Sequence, residues 1–203
     1  MVVERLAATY EARCELDYEG PFQLLIATIL SAQTTDVQVN LVTPELFGHY
    51  PTAGDLARAD PAEVERIVKA TGFFRAKTKS IIRCSNALVD RFGGQVPPRM
   101  EDLVTLPGIG RKTANVVLGV GFKLPGLAVD THVTRLTNLL KIASSDKPEV
   151  IEAQVCSLAP PAQWTDLGLR LILHGRRVCT ARKPNCEGCL LNDFCPSSTV
   201  LAS

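Results

Sequence analysis

The sequence predicts an all-helical protein. Along most of the 203 residues, apolar side chains recur at the three- to four-residue spacing of amphipathic helices, and the alternation typical of strands is nearly absent. Proline and glycine divide this pattern into segments of helix length. Because 46% of the residues are hydrophobic, the chain can bury one large core or two small ones. We therefore expect about ten helices.

Turn-forming residues set the ends of these helices. The breaks fall at Gly20-Pro21, Gly48 to Pro51, Thr71-Gly72, Gly93 to Pro98, Pro107 to Gly110, Pro125-Gly126 and Pro160-Pro161. Between them, the periodicity predicts helices near residues 2–13, 21–32, 36–48, 61–70, 76–92, 101–105, 111–121, 131–141, 148–158 and 165–175. The most apolar run, Phe22 to Ala32, is far too short to span a bilayer and predicts a buried core helix.

Four cysteines near the C-terminus predict a metal centre. They follow the pattern C-x6-C-x2-C-x5-C, with a proline directly after the last, and are Cys179, Cys186, Cys189 and Cys195. A structural zinc site usually takes its ligands from two separated pairs, and only one such pair is present here. The close spacing favours a [4Fe-4S] cluster held by four thiolates, with zinc as the alternative. Periodicity is weak in this segment, so we expect the metal to order it.

The N-terminal residues do not resemble an export signal. They include acidic residues and lack both a basic start and a long apolar stretch. We therefore expect a cytoplasmic protein that is neither secreted nor inserted in a membrane. In that reducing compartment the remaining thiols, Cys14, Cys84 and Cys156, are expected to be free, buried and inert.

Charge is distributed unevenly along the chain. Residues 1–68 carry a net charge of −7, whereas residues 69–203 carry +8. Two stretches without intervening acidic residues concentrate the positive charge: Lys69, Arg75, Lys77, Lys79 and Arg83, and later Arg170, Arg176, Arg177, Arg182 and Lys183. Each could be a solvated face or a surface that binds a polyanion. A total near zero does not exclude nucleic acid, because binding depends on local potential.

The segment Leu106 to Ala114, LPGIGRKTA, predicts a helix-hairpin-helix. Gly108 and Gly110 allow a tight turn and close approach of another molecule, because neither carries a Cβ atom. Ile109 is expected to point into the core, and the start of the second helix suits a phosphate. An ordinary helix–helix turn is the alternative; a nucleotide-binding P-loop is not supported, because its glycine spacing and preceding strand are absent.

Lys112 and Asp130 are the candidate catalytic residues. Lys112 lies just inside the second hairpin helix, where it could simply touch phosphate or solvent, or could act as a nucleophile. An amine attacks only when unprotonated, and burial, a neighbouring cation such as Arg111 and a helix start all favour the neutral form. Asp130 is expected to cap the next helix. A carboxylate held there could also stabilise positive charge forming on a sugar ring.

Several stretches, taken in order, form one larger pattern. They are LSAQTTD from Leu30, TGFFRAK from Thr71, LPGIGRKTANVV from Leu106, AVDTHVTR from Ala128 and LHGRRVC ending at Cys179. In order and spacing, and together with the cysteine run, they resemble the endonuclease III family of DNA glycosylases over roughly residues 21–196. No single motif would carry this resemblance.

The resemblance implies two helical lobes that flank a DNA-binding cleft. One would be a six-helix barrel at residues 14–124, with the helix-hairpin-helix near 103–121. The other would combine residues 1–13 and 125–203 and hold a [4Fe-4S] cluster. The protein would then be a bifunctional base excision repair enzyme, a DNA glycosylase and abasic-site lyase, acting as a monomer on damaged double-stranded DNA. If the source is bacterial, it would be associated with the nucleoid.

The resemblance also implies a mechanism. The enzyme would flip an oxidised pyrimidine out of the duplex. Lys112 would attack the sugar C1′ and form a Schiff base, and Asp130 would stabilise the charged sugar. β-Elimination would then cleave 3′ to the lesion. The sequence departs from the commoner family pattern at Phe73, where a leucine is frequent, and at Thr134, where a bulkier side chain is frequent.

The predicted DNA contacts come from the matched positions. Gln33, and either Phe73 or Phe74, would fill the gap left by the extruded nucleotide, with local packing as the alternative. Basic residues of the cluster loop would contact phosphates, and His132 would order the cleft or pack locally. The full set is Gln33, Phe73, Phe74, Arg75, Lys77, Gly108, Gly110, Arg111, His132, Arg182 and Lys183.

Two other functions remain open on the sequence alone. The adenine-mismatch branch of monofunctional glycosylases shares the hairpin, aspartate and cluster, but lacks the lysine and normally adds a C-terminal domain. A non-catalytic iron–sulfur protein that only binds DNA is the second alternative.

Overall fold

The structure, a computed structural model, describes residues 1–200. Within these residues there are α-helices and short helical turns but no β-strand, which confirms the predicted all-helical fold. The α-helices are α1 (Val2–Thr9), α2 (Gly20–Leu30), α3 (Asp36–His49), α4 (Ala53–Ala57), α5 (Pro61–Val68), α6 (Phe74–Phe92), α7 (Met100–Leu103), α8 (Arg111–Val116), α9 (Thr131–Leu139), α10 (Pro148–Leu158) and α11 (Trp164–Arg177).

Three helical elements differ from the predicted pattern. Helix α4 was not predicted, and a capping box explains it: the Thr52 hydroxyl accepts from the Asp55 N–H, and the Asp55 carboxylate accepts from the Thr52 N–H. Helix α1 is shorter than predicted and ends at Thr9. The predicted helix at 111–121 changes at Val117 into a π-helical segment, Val117–Gly121.

The chain forms two compact units. One comprises Met1–Arg13 together with the described residues from Leu124 onward, and the other comprises Cys14–Lys123. In the second unit, α2 supplies much of the core, because its residues from Leu24 to Leu30 are all buried. Helix α6 contributes Ile81 and Leu88, both fully buried, so the predicted core helix and the longest helix of the unit share its interior.

The first unit is built from both ends of the sequence. Leu6 of α1 and the adjoining Tyr10 are buried in one cluster with α9, α10 and α11. Val133, Ile151 and Leu171 represent those three helices in the cluster. Burial of these side chains removes apolar surface from water, which makes α1 and Tyr10 part of this core.

The cysteines outside the C-terminal run differ in exposure. Cys84 is fully buried, as predicted, whereas Cys14 and Cys156 are half-buried. None of the three forms a disulfide. Within residues 1–200, no helix combines the length and the apolar character needed to cross a membrane.

Candidate active site and iron–sulfur centre

The predicted helix-hairpin-helix is formed by α7 and α8 with the turn between them. Ile109 is 6% exposed and its N–H donates to the Leu106 carbonyl at 3.1 Å, so this residue points into the core as predicted. Gly108 has φ +81°, a conformation that favours glycine, and an added Cβ there would lie 3.3 Å from the Ser80 Cβ. At Gly110 an added Cβ would meet nothing within 4 Å. Gly110 is also exposed, so its backbone is open to a ligand.

Lys112 is the second residue of α8 and is exposed. The burial named as one influence in the sequence analysis is therefore not present at this position. One turn further along α8, Asn115 is 3% exposed, and its Nδ2 has no hydrogen-bond partner among the described residues. A buried amide in this state is uncommon in native proteins.

Asp130 is the N-cap of α9, as predicted. Its backbone is extended, and its Oδ1 accepts a 2.8 Å hydrogen bond from the Val133 N–H. The side chain is half-buried. Because capping fixes the carboxylate against the first turn of α9, the residue is rigidly placed for any electrostatic role.

The exposed residues Gln33, Phe73, Lys123 and Lys141 adopt the left-handed conformation that only glycine adopts readily. Two of them are predicted DNA contacts. Gln33, between α2 and α3, has φ +54°, and Phe73, the N-cap of α6, has φ +47°. Phe73 is also 68% exposed. A non-glycine residue pays about 1 kcal/mol or more in this region, and such strain occurs often at functional sites. An aromatic ring held in solvent on a strained backbone is not explained by packing.

The residues that follow Phe73 differ in their surroundings. Phe74 is half-buried beneath the Arg75 guanidinium, whose carbon lies 5.4 Å from the ring centroid. Arg75 is exposed and has Glu65 at 3.8 Å. Lys77 is only 5% exposed, and its Nζ donates to the Thr71 carbonyl at 2.7 Å. Its ammonium group is buried and ties α6 to the preceding turn, which favours a structural role for Lys77 over the predicted contact with DNA.

His132 packs against α11 in this structure. An added Cβ at Gly175 would lie 3.0 Å from both the Cβ and Nδ1 atoms of His132, so the two helices meet closely here. The Arg135 Nη2 donates to the carbonyls of Gly175 at 3.1 Å and Cys179 at 2.6 Å. These contacts favour the local-packing alternative for His132.

The loop between the first two cysteines of the run presents its basic residues to solvent. The Thr180 hydroxyl donates to the Lys183 carbonyl at 2.7 Å and closes the turn between them. Arg182 and Lys183 are both exposed. The Asn185 N–H donates to the Val178 carbonyl at 3.0 Å, which ties the end of the loop back to the end of α11.

All four cysteines of the run line one cavity of about 90 Å³. Leu136, Leu140, Val178 and Leu191 provide an apolar wall, and the cysteines are Cys179, Cys186, Cys189 and Cys195. Among the residues that the structure describes, no three His, Cys, Asp or Glu side chains are grouped as ligands of a single metal ion. Four thiols that surround a volume with an apolar wall fit a polynuclear cluster better than they fit one zinc ion.

The thiols of this cavity differ in their electrostatic environment. Burial raises the pKa of Cys179 and that of Cys189. Hydrogen bonds from Thr199 lower the pKa of Cys186. Iron bound between the sulfurs would supply the positive charge that favours the thiolate form of all four.

Comparison with known proteins identifies the family. A profile of the HhH-GPD superfamily of base excision DNA repair proteins matches residues 26–161. Endonuclease III of Synechocystis sp. (strain PCC 6803) is 50% identical over 188 residues, which cover 92% of this chain and 86% of that protein. The chain belongs to the endonuclease III family. Endonuclease III of Escherichia coli (strain K12) is 40% identical over 181 residues, covering 89% of this chain and 86% of that protein.

The endonuclease III assignment extends to the cofactor and to the solved structures. A second profile, the iron-sulfur binding domain of endonuclease III, matches residues 179–195, from the first to the last cysteine of the run. A solved structure of endonuclease III in a trapped covalent intermediate with DNA has a TM-score of 0.94 at 37% identity, covering 100% of this chain and 96% of that one.

These findings confirm four predictions: the endonuclease III family, the all-helical fold, the [4Fe-4S] cofactor, and a base excision repair DNA glycosylase with abasic-site lyase activity.

Three residues near the cysteine run were not predicted from the sequence. His174 contacts the Cys189 Sγ, and the Tyr10 hydroxyl contacts the other nitrogen of the His174 ring. Arg135 donates to the Cys179 carbonyl. Arg135 lies within the AVDTHVTR segment and His174 within LHGRRVC, so the sequence resemblance covers both positions without indicating these contacts. Nothing in the spacing indicated that Tyr10, 164 residues before its partner His174, belongs to the same cluster of side chains.

Proposed function

We propose that this endonuclease III family member removes oxidised pyrimidines from duplex DNA and cuts the strand 3′ to the lesion by β-elimination. The observation that carries the proposal is the hairpin, in which an exposed lysine, Lys112, follows directly after a turn with uncovered backbone at Gly110. The trapped covalent complex of a relative with DNA supports an enzyme nucleophile.

The proposed chemistry begins at Lys112. Its Nζ forms a bond to C1′ of the damaged nucleotide, and the bond from C1′ to the base breaks. The sugar ring then opens to give an imine between Nζ and C1′. Loss of a proton from C2′ allows the C3′–O bond to break, and the phosphate leaves with its electron pair. Water finally releases the sugar remnant from the lysine.

Asp130 is proposed to stabilise the positive charge that develops on the sugar. Its half-buried carboxylate is fixed by the hydrogen bond from the Val133 N–H, so it needs little reorganisation when charge forms. The same carboxylate is also proposed to help Lys112 lose its proton before attack.

Gln33 and Phe73 are proposed to fill the space left by the flipped nucleotide. Both are exposed and both have the strained backbone described above. Of the two phenylalanines, Phe73 is favoured because Phe74 is half-buried and stacked with Arg75. Insertion of a side chain offsets the few kcal/mol that unstacking requires.

Phosphate contacts are proposed at three places. The hairpin would approach a phosphate at the exposed backbone of Gly108 and Gly110, with Arg111 beside them. The exposed Arg75 lies two residues after Phe73, the side chain proposed to act as a wedge in the duplex. Arg182 and Lys183 extend from the closed turn of the cluster loop. Such contacts set affinity and orientation and do not read base sequence.

We also propose the domain roles and the setting of the enzyme. The unit Cys14–Lys123 would be the six-helix barrel domain, and the unit that contains both ends of the chain would be the cluster domain. The bacterial relatives support a cytoplasmic enzyme. We propose that it is associated with the nucleoid and acts as a monomer. Sedimentation of the purified protein with and without duplex DNA tests the monomer.

Borohydride trapping tests the lyase assignment. The enzyme is incubated with a duplex that carries an abasic site, reduced, and examined for a covalent complex. We expect the wild type and Lys79→Ala, a matched change of an exposed lysine, to form the complex, and Lys112→Ala to form none. A wild type that does not cross-link, or a Lys112→Ala variant that does, would refute the nucleophile.

A panel of duplex substrates distinguishes the proposed function from the two alternatives, the monofunctional adenine branch and a non-catalytic DNA-binding protein. Duplexes that carry oxidised pyrimidines, or adenine opposite an oxidised guanine, are assayed for free base. Release of pyrimidine supports the proposal. Release of adenine without strand cleavage would support the monofunctional adenine branch, and binding without release of any base would support the non-catalytic alternative.

A further inference from the structure

A chain of two side-chain hydrogen bonds leads from the N-terminal segment to a cluster cysteine. The Tyr10 hydroxyl lies 3.0 Å from the His174 Nδ1, and the His174 Nε2 lies 3.5 Å from the Cys189 Sγ. The two rings meet edge to face, with centroids 5.8 Å apart. His174 is 1% exposed and Tyr10 is 7% exposed, so water does not compete strongly for these contacts.

The chemistry of a cluster ligand fixes the direction of both hydrogen bonds. A thiolate bound to iron carries no proton and can only accept, so the Nε2 atom of His174 must carry the hydrogen. In a neutral imidazole the Nδ1 atom is then an acceptor. The Tyr10 hydroxyl must therefore donate to Nδ1, and it holds the ring in the tautomer that donates to Cys189.

We propose that His174 is a positioning residue for the [4Fe-4S] cluster, which donates its Nε2–H to the Cys189 thiolate and, with Tyr10 fixing its tautomer, raises the reduction potential of the cluster. Hydrogen bonds to cluster sulfurs withdraw electron density and are among the factors that set this potential. Neither His174 nor Tyr10 has a role in the proposed DNA chemistry.

The backbone around His174 supports this role. Its carbonyl accepts from the N–H groups of both Val178 and Cys179, each at 2.9 Å, so the same residue positions a second cluster cysteine. Among the described residues, the Cys189 Sγ also accepts a hydrogen bond from the Leu191 N–H at 3.4 Å. Of these two donors to the sulfur, His174 is the side chain and Leu191 is backbone.

Tyr10 is itself held in place from two sides. Its carbonyl accepts from the Arg170 Nε at 3.1 Å, and its ring lies in the core of the unit. Earlier in the same segment, Arg5 donates to the Leu190 carbonyl at 2.8 Å and pairs with Asp193. The N-terminal segment therefore contacts the cysteine run just after Cys189, at Leu190 and Asp193.

Three variants test the proposal. His174→Phe keeps a ring and removes the donor, His174→Gln keeps an amide N–H donor, and Tyr10→Phe removes only the hydroxyl. His49→Phe and Tyr50→Phe make the same changes in the other unit and serve as controls. For protein with matched iron content, the measurements are the reduction potential by spectroelectrochemistry and the Fe–S(Cys) stretching bands by resonance Raman.

We expect His174→Phe to lower the potential and to raise the frequency of an Fe–S(Cys) band, with His174→Gln returning both toward wild type. Tyr10→Phe should shift both in the same direction by less. The proposal would be overturned if His174→Phe with a full iron content had the wild-type potential and bands. It would also be overturned if His174→Gln gave the same values as His174→Phe. If His174→Phe does not load iron, Tyr10→Phe decides, and wild-type values for that variant would also overturn it.

Discussion

Asp130 and Val133 form the hydrogen bond that begins α9: the Asp130 Oδ1 accepts from the Val133 N–H at 2.8 Å. The carboxylate that we propose for catalysis is thus also a structural cap. Its two roles can be separated, because an asparagine side chain keeps an oxygen that accepts the same hydrogen bond but lacks the negative charge.

Asp130→Asn should therefore leave stability nearly unchanged, whereas Asp130→Ala should lower the free energy of unfolding by about 1 kcal/mol through loss of the cap. In both variants the rate of base excision should fall by about 100-fold or more, because both lose the charge that stabilises the transition state. Urea unfolding and single-turnover base release measure the two effects. Normal excision by Asp130→Asn would show that capping is the only role of this carboxylate.

Two substitutions of Phe73 distinguish the effect of its aromatic ring from the effect of its strained backbone. Phe73→Ala removes the ring but keeps a Cβ in the left-handed conformation, while Phe73→Gly also relieves about 1 kcal/mol of strain. We expect both variants to lose roughly 10-fold or more in excision from duplex DNA, and Phe73→Gly to be the more stable of the two.

The control for Phe73 is the single strand. A lesion in single-stranded DNA has no gap to fill, so excision there should change little in either variant. Equal losses on single and double strands would argue against a wedge and for a role of the ring in folding or in the pocket.

Arg182 and Lys183 should contribute to DNA affinity in a salt-dependent way. If each contacts one phosphate, replacing both by alanine should reduce the slope of log Kd against log salt concentration by about two. Fluorescence anisotropy over a range of salt concentrations measures the slope. Lys141→Ala with Lys147→Ala removes the same charge from exposed positions outside the two basic stretches and should leave the slope unchanged.

Cys84 should make the protein sensitive to alkali. Burial raises the pKa of its thiol to about 12, whereas an unfolded chain would ionise near the ordinary value of 9.0. Between these values the unfolded state has lost a proton that the folded state keeps, so stability should fall by about 1.4 kcal/mol per pH unit. Below pH 9 the thiol is protonated in both states and has no effect.

Comparing wild type with Cys84→Ala isolates this contribution, because other groups titrate equally in both. Chemical unfolding at several pH values from 8 to 11 should give a shallower decline for Cys84→Ala. Parallel curves would contradict the raised pKa. Cys84 should also resist maleimide at pH 8 in the folded protein and react once the protein is unfolded.

The fold and the chemical motifs were largely predictable from sequence because they are local patterns. The hairpin depends on a run of nine residues, the cluster on four cysteines within seventeen, and the cap on Asp130 at a helix start. Helix α4 was missed because a five-residue helix has too little periodicity, although Thr52 and Asp55 formed a readable capping box.

Other features depended on contacts between residues distant in sequence or on local packing that no residue pattern reveals. Lys77 was placed on a basic surface because charge runs are usually exposed, but its amine satisfies the Thr71 carbonyl in the interior. The Tyr10–His174 contact joins residues 164 positions apart. Which of two adjacent phenylalanines is exposed was decided by backbone conformation, at Phe73, and not by residue type.

The hydrogen bond from Arg5 to the Leu190 carbonyl has a consequence for biosynthesis. Arg5 leaves the ribosome long before Leu190 exists, because Leu190 lies 185 residues later. At about 5 to 20 residues per second, that interval is roughly 10 to 40 seconds. Because the four cysteines of the run lie at 179–195, iron can reach a complete set of ligands only after translation of almost the whole chain.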